Sequence, residues 1–177
     1  MKTALVLATS LIAFSSTASA GTYLGLALGT KPGVSDDLDR VATPDGRSAR
    51  FLGGFRFGNV SLEGAINGFG VRTGLGDHTV YQLSAAAKLN LPLADGFELL
   101  GRGGLERTSL DLGDDRYNLS GNGFLVGAGF EYRLNLGVTS ASIFVDYTIH
   151  HATLEDSRPN QIDATSRIWA LGFTVGI

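Results

Sequence analysis

The chain has 177 residues, 44% of them hydrophobic, a formal net charge of −3 and no cysteine. The length fits one domain, and the missing cysteines exclude disulfides, a lipid-modified Cys and thiolate zinc sites. The charge is near balance without a basic run, which argues against nucleic acid as a partner.

Met1 to Ala20 reads as a secretory signal peptide. Lys2 supplies the positive n-region, Ala4 to Phe14 the apolar h-region, and Ala18-Ser19-Ala20 the small-residue cleavage site. Gly21 to Ile177 is then the expected domain, and it contains no apolar run long enough for a spanning helix. The glycines fall inside alternating segments, as in packed strands and bends, and form no flexible linker.

From here the pattern has period two, the period of a strand. Thr22 to Thr30 sets Leu24, Leu26 and Leu28 against Tyr23, Gly25 and Ala27, and a polar loop runs from Lys31 to Ser48. Arg50 to Phe57 alternates again, Gly58-Asn59 has the composition of a hairpin turn, and Val60 to Phe69 follows. After a polar loop, Gly70 to His78, the stretch Thr79 to Leu91 sets Tyr81, Leu83, Ala85 and Leu89 against Gln82, Ser84, Lys88 and Asn90. Pro92 to Gly96 turns the chain into Phe97 to Glu106, and a third loop, Arg107 to Gly121, is rich in aspartate. Asn122 to Leu134, a short turn, Ser140 to His150, a fourth loop and finally Arg167 to Ile177 complete the chain.

This predicts eight strands joined alternately by long and short connections, the loop asymmetry of a membrane barrel. The expected fold is all-β, an eight-stranded antiparallel up-and-down transmembrane β-barrel. A soluble lipocalin-like barrel is the rival; there the apolar face would line a ligand cavity. The membrane reading is favoured because the large apolar positions form an almost unbroken face. The opposite face is small and sparsely charged, which suits a narrow filled interior.

The fragments TYLGLALG at Thr22 to Gly29, FLGGFRFGNVSLEGA at Phe51 to Ala65 and GAGFEYRLN at Gly127 to Asn135 resemble strands of the small OmpA/OmpX-like outer-membrane barrels. The resemblance covers Gly21 to Ile177. It implies a cell outer-membrane protein exported through a cleaved signal, and it implies outer-membrane lipids, lipopolysaccharide and the outer-membrane assembly machinery as partners. The final strand is similar to the family's terminal assembly signal at Trp169, Leu171, Phe173, Val175 and Ile177, although such proteins usually end in Phe. An extracellular ligand held by the loops, the first and longest above all, and a monomeric state are also expected.

Two groups of residues carry chemistry. The first is the inward charge set Arg56, Glu63, Lys88, Glu98, Arg102, Glu106, Glu131, Arg133 and Asp146. Strand adjacency pairs Glu63 with Lys88, Arg102 with Glu131, and Arg133 with Asp146. A gate or ion path is one reading; a closed, hydrogen-bonded plug is preferred, because an eight-stranded interior has room for side chains and not for a channel. The second group is His151, Thr153 and Asp163, with His150 and Glu155 nearby, a base–nucleophile–orienter pattern similar in position to that of outer-membrane lipid A deacylases. Thr153 stands where Ser is expected and no Asn follows, so the motif is broken. The preferred reading is a non-enzymatic envelope or surface-binding protein; a lipid A-modifying esterase is the alternative. The run Asp111 to Asp115 lacks calcium-loop spacing. No cofactor and no metal site are expected.

Overall fold

The computed structural model describes residues 20–35, 39, 43–74, 76–111, 119–136, 139–155 and 161–176. The expected signal peptide up to residue 19, the acidic loop beyond Asp111, and Ile177 lie outside the described residues. The strands are β1 (Ala20–Gly29), β2 (Gly33–Val34), β3 (Thr43–Phe57), β4 (Val60–Thr73), β5 (Gly76–Ala94), β6 (Phe97–Asp111), β7 (Leu119–Leu136), β8 (Thr139–Glu155) and β9 (Gln161–Gly176).

They form one antiparallel sheet of order β1-β3-β4-β5-β6-β7-β8-β9-β2, and β1 pairs with β9 as well as with β3. The expected eight-stranded up-and-down barrel is corrected here: the sheet has nine strands, and β2 is out of sequence order on the edge of β9. The cause is Pro32. β1 leaves β9 at Gly29↔Ala170, and β2 rejoins it at Gly33↔Arg167, one residue out of step. Proline has no N–H to give to a ladder, so the pairing breaks and resumes as a separate two-residue strand.

Several strands outrun the alternating segments that announced them. β8 continues through His151 to Glu155, and β9 begins at Gln161, inside the expected fourth loop. Backbone pairing does not require apolar side chains. Once the outward residues become polar, the two-residue hydrophobic signal fades while the ladder goes on. The short connections are tight turns. At Gly58-Asn59 the first residue has φ 60°, the arrangement in which Gly leads a two-residue hairpin. At Asp95-Gly96 both residues have positive φ, 30° and 86°, as a type I′ turn requires. Strand β5 reaches Ala94 because the ladder shifts register between Pro92 and Ala94, where proline again gives no donor.

The sheet has two unlike faces. Leu26, Phe51, Leu62, Leu83, Phe130, Ile143, Leu171 and Phe173 stand exposed on the outer one. The inner face carries buried Arg50, Glu63, Lys88, Arg102, Glu131 and Asp146. Strong curvature brings strands that are not neighbours in the sheet together across the inner face, as Arg50 of β3 and Asp146 of β8 demonstrate.

Candidate functional site

The inner face is built in layers between the short turns, here the turn end, and the longer connections, the loop end. Nearest the turn end, Arg56 of β3 donates from both terminal nitrogens to Glu98 of β6, at 3.0 and 2.8 Å. Asn90 of β5 donates to Glu98 at 2.8 Å and to Glu131 of β7 at 3.1 Å. Lys88 binds Glu131 at 3.0 Å and lies 3.8 Å from Glu63 of β4. Arg102 spans Glu63 at 2.9 Å and Asp146 at 2.7 Å, and Asp146 also accepts from Arg50 at 2.6 Å. The groups therefore form one continuous chain from Arg56 to Arg50. Tyr23 of β1 adds a hydroxyl on Glu63 at 3.0 Å.

Each charge of this chain has an opposite one within 3.0 Å, and that is what makes burial tolerable. Of the pairs expected from strand adjacency, Glu63 and Lys88 come together. Arg102 and Glu131 do not: Arg102 turns to Glu63 and Asp146, while Glu131 takes Lys88 and Asn90. Nor do Arg133 and Asp146, since Arg133 points its Nη1 toward Glu98 at 3.9 Å. For Arg102 and Glu131 adjacency fails because long side chains on a strongly curved sheet reach past the next strand to the one beyond it, whereas Arg133 turns to Glu98 on neighbouring β6 instead of Asp146 on β8. Arg50, Asn90 and Tyr23 went unassigned as network members. The signal for Arg50 was present, since it shares its parity with Leu52 and Arg56.

Further toward the loop end, His150 Nδ1 and Glu106 Oε2 lie 2.5 Å apart. Asn67 donates to Gln82 at 2.8 Å, and Gln82 reaches Ser166 at 3.4 Å. Beyond them the inner face becomes apolar: Phe69, Val71, Val80, Leu110, Leu119, Leu154 and Ile168 pack together with Val34 of β2 beside them. The space left there is about 10 Å³, at the lower limit of what one water needs. The interior thus passes from charged to polar to apolar.

The outer-rim set is not assembled. His151 Nδ1 lies 3.0 Å from Thr165 Oγ1, and Thr153 donates to Asp163 at 3.1 Å. Each is a cross-strand pair between directly opposed residues of β8 and β9, which leaves the expected base and nucleophile with separate partners. Glu155 contributes its backbone to the same ladder, opposite Gln161. Among the described residues no group of three or more His, Cys, Asp and Glu could hold a metal ion. Trp169, Leu171, Phe173 and Val175 stand exposed on the outer face of β9, and Trp169 packs on Tyr147 with ring centroids 4.9 Å apart.

Residues 2–176 match the family described as Outer membrane protein beta-barrel domain. No curated protein matches the sequence. Among solved structures the chain is similar to Neisserial surface protein A, with TM-score 0.61 and 16% identity over 91% of this chain and 99% of that one. It is similar to the Yersinia pestis attachment invasion locus protein Ail, solved with a heparin analogue, with TM-score 0.52 and 14% identity over 90% and 100%. It is also similar to OprG of Pseudomonas aeruginosa, with TM-score 0.52 and 17% identity over 92% and 98%.

Proposed function

We propose, on the premise that the chain belongs to the outer membrane protein β-barrel domain family, that it is a non-conducting envelope protein whose sealed interior holds the sheet rigid while its loop end meets ligands. In this reading it is non-enzymatic, and an outer-membrane location is consistent with the family. The observation that carries the proposal is the two-part seal: a continuous chain of ion pairs and hydrogen bonds in one half of the interior and a close-packed apolar cluster in the other. An ion entering from either end would have to break buried pairs or cross desolvated hydrocarbon, each at a cost of several kcal/mol.

The leader up to Ala20 is read as cleaved on export, and the outward apolar face as lipid-facing. At the loop end this face gives way to the exposed cations Arg107 and Arg167, suited to phosphorylated lipid headgroups such as those of lipopolysaccharide. The exposed residues of β9 serve as the signal for the assembly machinery.

Reconstituted in planar bilayers, the protein should show no steady conductance. A stable open current in wild type would overturn the sealed-interior reading. The esterase alternative has its own test. Cells expressing the protein should keep an unchanged lipid A acyl pattern by mass spectrometry, with wild type indistinguishable from His151→Asn. The chemistry is against hydrolysis as well, since Thr153 is a hindered β-branched nucleophile and its hydroxyl is committed to Asp163.

A further inference from the structure

On the outer face of β8 and β9 the apolar band ends, toward the loop end, at an aromatic pair. Trp169 and Tyr147 stand directly opposite each other with ring centroids 4.9 Å apart, and Trp169 keeps more than half of its surface exposed. The next outward pair is Arg167 and Ile149, and the one after it Thr165 and His151. Arg167 is exposed and has no hydrogen bond or ion pair among the described residues. His151 holds its Nδ1 3.0 Å from the Thr165 hydroxyl and rests its ring on Phe124. When Nδ1 accepts from that hydroxyl, Nε2 carries the proton and can donate outward.

The segment along the other edge of β9 supplies a second cation. Thr30 donates its N–H to the Trp169 carbonyl at 2.8 Å, Ser35 donates its own to the Thr165 carbonyl at 2.9 Å, and Gly33 and Val34 oppose Arg167 and Ser166. Residues 30–35 thus run along residues 165–169, six against five, and the extra residue falls at Lys31-Pro32. A bulge of this kind re-aims a side chain. Here Pro32 is buried and Lys31 exposed, at the level between Trp169 and Arg167. The first outward carboxylate on β9, Asp163, stands four residues beyond Arg167, roughly 13 Å along the strand, and accepts from Thr153.

We propose that this corner of the rim binds the phosphorylated sugar headgroup of a glycolipid, with the sugar ring against Trp169, the phosphate between Arg167 and Lys31, and the acyl chains over Leu171 and Phe173. The proposal rests on the reading of the outer face as lipid-facing. An interfacial tryptophan by itself is a membrane anchor; the two cations beside this one are what make it a site. The negative face of the indole suits the positively polarised C–H bonds of a sugar. Guanidinium and ammonium groups suit a phosphate. The exposed apolar side chains below Trp169 continue the same face and suit acyl chains. A phospholipid such as phosphatidylglycerol brings phosphate without a ring to stack, a neutral glycolipid brings the ring without the charge, and a soluble sugar phosphate leaves the apolar face without a partner.

The test uses the full-length protein folded in zwitterionic detergent micelles. Trp169 is the only tryptophan of the chain, so its emission reports from this site alone. Lipid A, fully dephosphorylated lipid A, phosphatidylglycerol and glucose 1-phosphate are titrated in turn at constant ionic strength. Lipid A should give a saturable change in emission, and the other three should bind at least about tenfold more weakly. Arg167→Gln and Lys31→Gln should each weaken lipid A about tenfold, the loss of one charge-assisted contact. Arg107→Gln, three strands away on β6, should titrate like wild type. Phosphatidylglycerol matching lipid A, or Arg107→Gln weakening it as much as Arg167→Gln, would overturn this site while leaving a general attraction of the rim for anionic headgroups. Glucose 1-phosphate matching lipid A would overturn the lipid as occupant. A wild type with no saturable response to either anionic lipid would overturn both the site and the headgroup reading of the rim cations. All three substitutions fall at exposed positions, and circular dichroism verifies that the variants are folded.

Discussion

Asp146→Ala should lower the unfolding free energy by about 3–5 kcal/mol, read as an earlier midpoint in urea unfolding of the protein in detergent or lipid. Asp146 is fully buried and accepts from Arg50 at 2.6 Å and from Arg102 at 2.7 Å. Without it Arg102 keeps Glu63, but Arg50 loses its carboxylate altogether. The Phe144 ring, 5.5 Å from the Arg50 guanidinium, offers no such acceptor, and the Arg50 Nε already lacks one. The loss thus measures a stranded buried charge more than the worth of the pair. The double change Arg50→Met with Asp146→Leu, which removes both ions, should recover most of the stability. Arg72→Ala supplies the contrast, because its contacts with Asp45 and Asp77 are exposed and their removal should move the midpoint little. Equal losses in Asp146→Ala and Arg72→Ala would deny the interior network its structural role.

The features legible in the sequence are those that depend on a residue's own strand. Parity alone assigned Leu24, Phe130, Ile143 and Leu171 to one face and Glu63, Lys88, Glu131 and Asp146 to the other. The hairpin turn at Gly58-Asn59 announced itself because a two-residue turn needs positive φ at a glycine. What depends on two distant strands was not legible. The meeting of Arg50 with Asp146 spans 96 positions of sequence and the width of the interior, and nothing local to either residue encodes it. The ninth strand was hidden for a different reason. Gly33–Val34 is too short to show a period, and Pro32 marked the region as loop although it interrupts the pairing along β9 for only a few residues. The rim set shows the same limit. His151 and Thr153 share a face of β8 by parity, but the side chains directly opposite on β9, Thr165 and Asp163, take up their hydrogen bonds one by one.

Val145→Arg should cost about 2–4 kcal/mol when unfolding is measured from lipid vesicles, the cost of placing a charged side chain on a lipid face near mid-bilayer. On β8 the outward apolar positions run from Ala141 to Ile149, which puts Val145 at their centre, flanked across the ladder by Phe130 of β7 and Leu171 of β9. Neither neighbour offers an anion, and the guanidinium would be too far from either rim to reach water without distorting the bilayer. The cost should fall toward the rim. Leu83 stands opposite Arg107 in the β5–β6 ladder, where the apolar band ends, so an Arg there would gain access to headgroups while meeting a like charge. Thr43→Arg, at the loop end of β3 on an exposed position, should be nearly neutral. In a soluble protein with the same sheet, Val145→Arg would replace one exposed side chain with another and cost little. A flat response across Val145, Leu83 and Thr43 would therefore refute the lipid-facing reading of the outer surface, whereas a loss that peaks at Val145 would trace the bilayer along the strands.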